Sequence, residues 1–93
     1  MKEAETTTET VSATIEESGK IILDKTEVLL NTEELSPKHR VLHGSFNAHL
    51  DRHLLPGFYQ LLLKDGRSYR IVVRGVYPHR EKKLVRFLVV PEE

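Results

Sequence analysis

Four of the chain's five histidines fall within HRVLHGSFNAHLDRH, residues 39–53. They form two i, i+4 pairs, His39 with His43 and His49 with His53. On a helix such a pair offers two imidazoles to one metal, as in HExxH zinc sites. In HLDRH, residues 49–53, Leu50 stands where that motif needs its general-base glutamate, so protease chemistry lacks its base. On a strand, His43, Ser45, Asn47 and His49 share one face, with Asp51 next. Those are the residue types of a His/Asp ligand set, or of a Ser-His-Asp group. One flat strand cannot wrap a nucleophile, base and orienting acid around a substrate, and no G-x-S-x-G elbow occurs. Lys38, Arg40 and Arg52 add positive charge that opposes a bound cation. The expectation is therefore a set of solvated surface histidines. His43, His49 and His53 are the candidates for a metal or pH-responsive role.

The other chemistry-bearing set is basic and aromatic. Lys64, Arg70, Arg74 and Arg86 have the charge to track phosphates, and Phe58 or Tyr77 has the ring to stack a base. Neither the RNP strings of RNA-recognition domains nor a KH-type GXXG loop is present. Whether these residues share a surface depends on the elements that carry them.

The strongest pattern is GFYQLLLKDGRSYRIVVRGVY, residues 57–77. Tyr59, Leu61 and Leu63 alternate before a turn, and Tyr69, Ile71 and Val73 alternate after it. A three-residue loop, Lys64-Asp65-Gly66, pairs Leu61 with Tyr69 and puts both sets on one face, whereas a two-residue turn would split them. Val11, Ala13 and Ile15 alternate in the same way. A three-residue loop of Glu17, Ser18 and Gly19 is expected, setting Ile15 opposite Ile21; a two-residue loop would bring Ile22 onto that face instead. Thr26–Asn31, Val41–Ala48 and Leu84–Val90 are further strand candidates, with Pro78–Lys83 as a polar connection. Between them, Ser36-Pro37 has the form of a cap for a short helix ending at Gly44, and Phe46, Leu50 and Leu54 recur at helical spacing. The alternation of Leu42, Phe46 and Ala48 favours a strand to about residue 48, followed by a loop or a single helical turn.

SATIEESGKIIL, residues 12–23, resembles the first hairpin of swapped-hairpin bacterial transcription factors and antitoxins. Asp24 stands where that family places a proline, and no basic helix follows, so the resemblance assigns no site or function.

The expected fold is mainly β: a small antiparallel barrel or sandwich of six to seven short strands with at most one short helix. Residues 1–9 are expected as a disordered, acidic and Thr-rich tail, and 10–91 as a single β domain. With Tyr59, Leu61, Ile71 and Val73 inward, the opposite face of the last three strands carries Phe58, Lys64, Arg70, Val72, Arg74, Val76, Arg86 and Leu88 among others. That face is too apolar for an ordinary solvated sheet surface. It is the candidate surface for a protein partner or a homodimer.

Composition narrows the function classes. With no cysteine there is no disulfide and no thiolate metal site, which suits a cytoplasmic location. No apolar run approaches the roughly 20 residues of a membrane span, and MKEAETTTETV lacks the apolar core of a signal peptide. The net charge is zero, yet residues 1–35 hold three Lys against nine Asp or Glu, while 36–93 hold eleven Lys or Arg against five. No catalytic motif, phosphate-cradling loop or cofactor signature appears. The expectation is a non-catalytic binding or assembly module, with single-stranded nucleic acid as the alternative partner.

Overall fold

The computed structural model describes residues 5–49 and 54–91. Six antiparallel strands make up the described chain: β1 (Glu5–Glu17), β2 (Lys20–Ser36), β3 (His39–His49), β4 (Gly57–Leu63), β5 (Ser68–His79) and β6 (Lys82–Val89). They close into a barrel in the order β1-β2-β3-β6-β5-β4. Two three-strand meanders are thus joined at two seams, β3 against β6 and β1 against β4. Among the described residues no helix is long and apolar enough to cross a membrane.

Closure follows from the alternating apolar residues. Ala13, Ile15, Val28, Leu30, Phe46, Tyr59, Leu61, Ile71, Val73, Val85 and Phe87 point into one buried core. A small sheet this apolar on one face has no partner layer, so curling it on itself removes that face from water and also removes most of its edges. At the centre, the Phe46 and Phe87 rings pack 6.0 Å apart at 37°.

The Leu63–Arg67 turn is the three-residue form that burial selects. The Leu63 N–H donates to the Arg67 carbonyl at 2.8 Å, Gly66 has φ 101°, and Leu61 pairs with Tyr69. Arg67 bonds Asp65 at 2.9 Å, which holds that carboxyl below the usual range. The first hairpin departs from expectation. Ser18 and Gly19, at φ 52° and 79°, form a two-residue turn, and Glu17 pairs with Lys20. This is the primed turn that suits strand twist, and local turn chemistry wins. Two irregularities then restore the inward set, so that Ile15 lies opposite Leu23 and Ile21 is left exposed. The second is a bulge at Asp24-Lys25, with Lys25 at φ 49°. The Asp24 carboxylate accepts from the Lys25 N–H at 3.0 Å and the Thr14 hydroxyl at 2.9 Å.

Other boundaries also shift. The bulge lets the chain run straight through Asp24-Lys25, so the first hairpin's return arm and Thr26–Asn31 are one strand. Residues 5–9, expected in the tail, pair with Leu30–Glu34 in β2. Residues 1–4 lie outside the described residues. Ser36-Pro37 caps no helix: Pro37 and Lys38 turn the chain between β2 and β3, and Gly44 sits inside β3. The strand reading of 41–48 holds, while residues 50–53 lie outside the described residues. Pro78–Lys83 shrinks to a turn at Arg80-Glu81, with Arg80 at φ 59°.

Tyr59 gives the barrel a pH dependence. Its ring is buried and its hydroxyl donates to the Leu55 carbonyl at 2.6 Å. Burial, reinforced by the Glu17 carboxylate, raises its pKa. The folded chain therefore holds this proton more tightly than the unfolded chain. The contribution is complete below the ordinary tyrosine pKa of about 10 and is lost as pH rises through the raised value. Melting temperature should fall above pH ~10, and Tyr59→Phe should flatten that fall. An equal slope in both proteins would remove Tyr59 as the cause.

Candidate binding face

The outward residues of β4, β5 and β6 are positioned by ladder register. Phe58 lies opposite Val72, Val72 opposite Leu88, and Leu88 opposite His43. This row crosses four strands, with Phe58 57% exposed and Val72 and Leu88 half-buried. Arg70 lies one outward position along β5, and its guanidinium sits 4.8 Å from the centre of the Phe58 ring. Stacking of this kind fixes an arginine in place without neutralising it.

A bulge in β5 builds the other side of the face. Val73 lies opposite Phe87, but the next pairing sets Gly75 opposite Arg86, so Arg74 is the extra residue. Beyond the bulge the faces exchange: Val76 lies opposite inward Val85 and packs against the core, while Tyr77 lies outward opposite Leu84. The expectation that Val76 joins the outer face is therefore corrected. Plain alternation counts through the bulge and assigns the wrong parity. Gly75 makes the arrangement possible, because a Cβ there would meet the Tyr77 ring at 2.5 Å. The ring lies over the glycine, and Arg86 stands 5.7 Å from its centre. The sequence signal was the glycine within a strand pattern, a recognised mark of a bulge.

Phe58, Arg70, Val72, Arg74, Arg86 and Leu88 are thus brought together, with Tyr77 added. Lys64 is not. It lies in the β4–β5 turn six positions from Phe58, roughly 20 Å along the strand direction, where its backbone N–H donates to Ser12.

Charge is distributed by strand. β3, β4, β5 and β6 contain no Asp or Glu, while Arg40, Arg70, Arg74, Lys82, Lys83 and Arg86 lie on them. β1 and β2 hold the opposite balance, eight carboxylates against Lys20 and Lys25. The two sets are adjacent in the barrel yet little paired. Glu9 bonds Arg67 and Glu33 bonds His43, and among the described residues no carboxylate lies within 4.0 Å of Arg70, Arg74 or Arg86.

The histidines do not converge. His43 and His49 share the outer face of β3, as a strand requires, but six positions separate them, roughly 20 Å. His43 Nε2 lies 3.2 Å from Glu33, His39 Nδ1 lies 2.9 Å from the Ser36 hydroxyl, and His49 pairs across the ladder with Lys82. Among the described residues no three His, Cys, Asp or Glu come together as a metal group. His53 lies outside the described residues. The hollow lined by Asn47, His79, Arg80, Glu81, Lys82 and Leu84 opens to solvent and holds one carboxylate beside two cations, Arg80 and Lys82.

Comparison of the chain with protein-family models, with curated proteins and with solved structures finds no match.

Proposed function

We propose that the protein is a non-catalytic binding module that docks an acidic protein surface on the wall formed by β3, β6, β5 and β4. The observation that carries this reading is the acid-free wall itself. Three guanidiniums without carboxylate partners among the described residues surround the apolar row Phe58–Val72–Leu88. An apolar centre ringed by arginine is the usual make-up of an interface core and its anchors. Stacking on Phe58 and Tyr77 pre-orders two of the three arginines, so less side-chain entropy is lost on docking.

The same two stacks favour single-stranded nucleic acid as a second reading, since exposed rings beside cations also suit unpaired bases. Titration with polyglutamate and with oligo-dT separates the two. The acidic-protein reading expects polyglutamate binding that weakens roughly tenfold in each of Arg70→Glu and Arg86→Glu. Unfolding stability should stay within about 0.5 kcal/mol, as for exposed substitutions generally. Tighter binding of oligo-dT, lost in Phe58→Ala and Tyr77→Ala, would replace it with the nucleic-acid reading. Binding unchanged by every substitution would remove the face from the function.

A further inference from the structure

Among the described residues, the first half of β1 leaves its outer edge open. β1 pairs with β2 from Glu5 to Glu17, but with β4 only from Ala13 to Glu16. The Lys64 N–H donates to the Ser12 carbonyl at 2.9 Å, and there the β4 hairpin turns away. From Glu5 to Val11 the outer edge of β1 meets no strand among the described residues. Because the Ser12 carbonyl faces β4, strand alternation points the backbone N–H and C=O of Thr10, Thr8 and Thr6 toward the open side.

Exposed edges are normally blunted by Pro, Lys or a bulge. Where β5 runs beyond β4 it carries the Arg74-Gly75 bulge and Pro78. Where β3 runs beyond β6 it carries Arg40 and is flanked by Pro37 and Lys38. ETTTETV, residues 5–11, has no Pro, Lys or bulge; its charges are Glu5 and Glu9, the latter held by Arg67 of the same chain, and it is rich in the β-branched residues that strands favour.

We infer that this edge pairs with the same edge of a second copy, antiparallel about a two-fold axis at Thr8. The open segment is its own complement in that register. Thr6 lies opposite Thr10, Thr8 opposite Thr8, Thr7 opposite Glu9 and Glu5 opposite Val11. Every outward N–H of Thr6, Thr8 and Thr10 then meets an outward carbonyl. Centring on Thr7 would set Glu5 opposite Glu9, and centring on Glu9 would set that residue opposite itself; like charges directly opposed are unfavourable. The Thr8 register alone uses all seven residues without such a pair. Glu9 is already neutralised by Arg67 of its own chain. This self-complementarity of the segment, in a register that opposes no like charges, favours a second copy over an unrelated strand. The pairing uses the backbone edge of β1 and does not depend on the arginine wall.

Cysteine scanning tests the register without background, because the chain has no cysteine. Thr8→Cys should form an intermolecular disulfide, since directly opposed hydrogen-bonded residues lie about 5.5 Å apart at Cα, within disulfide reach. Thr6→Cys should not, because its own counterpart lies four positions away, roughly 13 Å. Wild-type protein should sediment with a concentration-dependent mass rising toward the dimer. Thr8→Pro should stay monomeric and folded, since it removes an outward N–H and one exposed side-chain bond, the Thr8 hydroxyl to Asn31, and leaves the β1–β2 ladder intact. A monomeric wild type at all concentrations, or cross-linking of Thr6→Cys as efficient as that of Thr8→Cys, would overturn the inference.

Discussion

Gly44→Ala is expected to destabilise the barrel by about 3 kcal/mol, at the upper end for overpacking, for the addition of one methyl group. Gly44 sits in β3 between Leu30 of β2 and Phe87 of β6, on the inward face. A Cβ there would overlap the backbone carbonyl oxygen of Leu29 and approach the tip of the Phe87 ring at 2.8 Å. The ring has rotational freedom, but the carbonyl belongs to the β2–β3 ladder and moves only if the ladder does. Phe87→Leu should therefore fail to rescue Gly44→Ala, although it removes the ring contact. For a domain of this size the expected change in melting temperature is a fall of roughly 12–24 °C. Ser45→Ala, next in sequence and on the outer side, should stay within about 0.5 kcal/mol. A melt of Gly44→Ala that overlays the wild type would mean the β2–β3 ladder yields more easily than its register implies.

Phe46→Ala should cost about 3–5 kcal/mol. Phe46 is 2% exposed and reaches the centre of the barrel, where its ring meets Phe87 from the opposite side of the β3–β6 seam. Truncation removes both the transfer free energy and the ring pair, and it leaves a cavity that a closed barrel cannot collapse without breaking strand pairs. A chain of this length has a total stability of about 5–14 kcal/mol, so the loss is a large share of the whole. Urea unfolding should show a much lower midpoint with an unchanged slope. Phe46→Leu should recover more than half of the loss. A midpoint for Phe46→Ala close to wild type would show that the seam is not sealed by this ring.

The hairpin Gly57–Val73 was readable from residues alone because its turn and its burial pattern agree: the Lys64-Asp65-Gly66 loop is the one that keeps Leu61 and Tyr69 on the same side. Where two local signals conflict, pattern reading gave way. At Ser18-Gly19, burial argued for a three-residue loop and turn geometry for two; the two-residue turn forms and β2 absorbs the mismatch through its bulges. A segment such as Asp24-Lys25 looks like a break between strands because a bulge uses turn-like residues inside continuous pairing. The outward grouping of the candidate face was legible in Phe58, Arg70, Val72, Arg74, Arg86 and Leu88. Val76 was assigned to it because alternation has no means of counting the extra residue at Arg74.

Residue types and their alternation are enough to establish that the chain is β, which residues face inward except around the bulges that misplace Ile21 and Val76, and that its charges are segregated along its length. Period-two alternation and residue type are local properties, and they are enough for those conclusions. Only the tertiary structure decided that the histidines lie apart along one strand, that β3, β6, β5 and β4 stand side by side as an acid-free wall, and that β1 outruns β4. The physical reason is that these are statements about which strands become neighbours and where each pairing ends. Barrel closure settles both, through contacts between residues far apart in the chain.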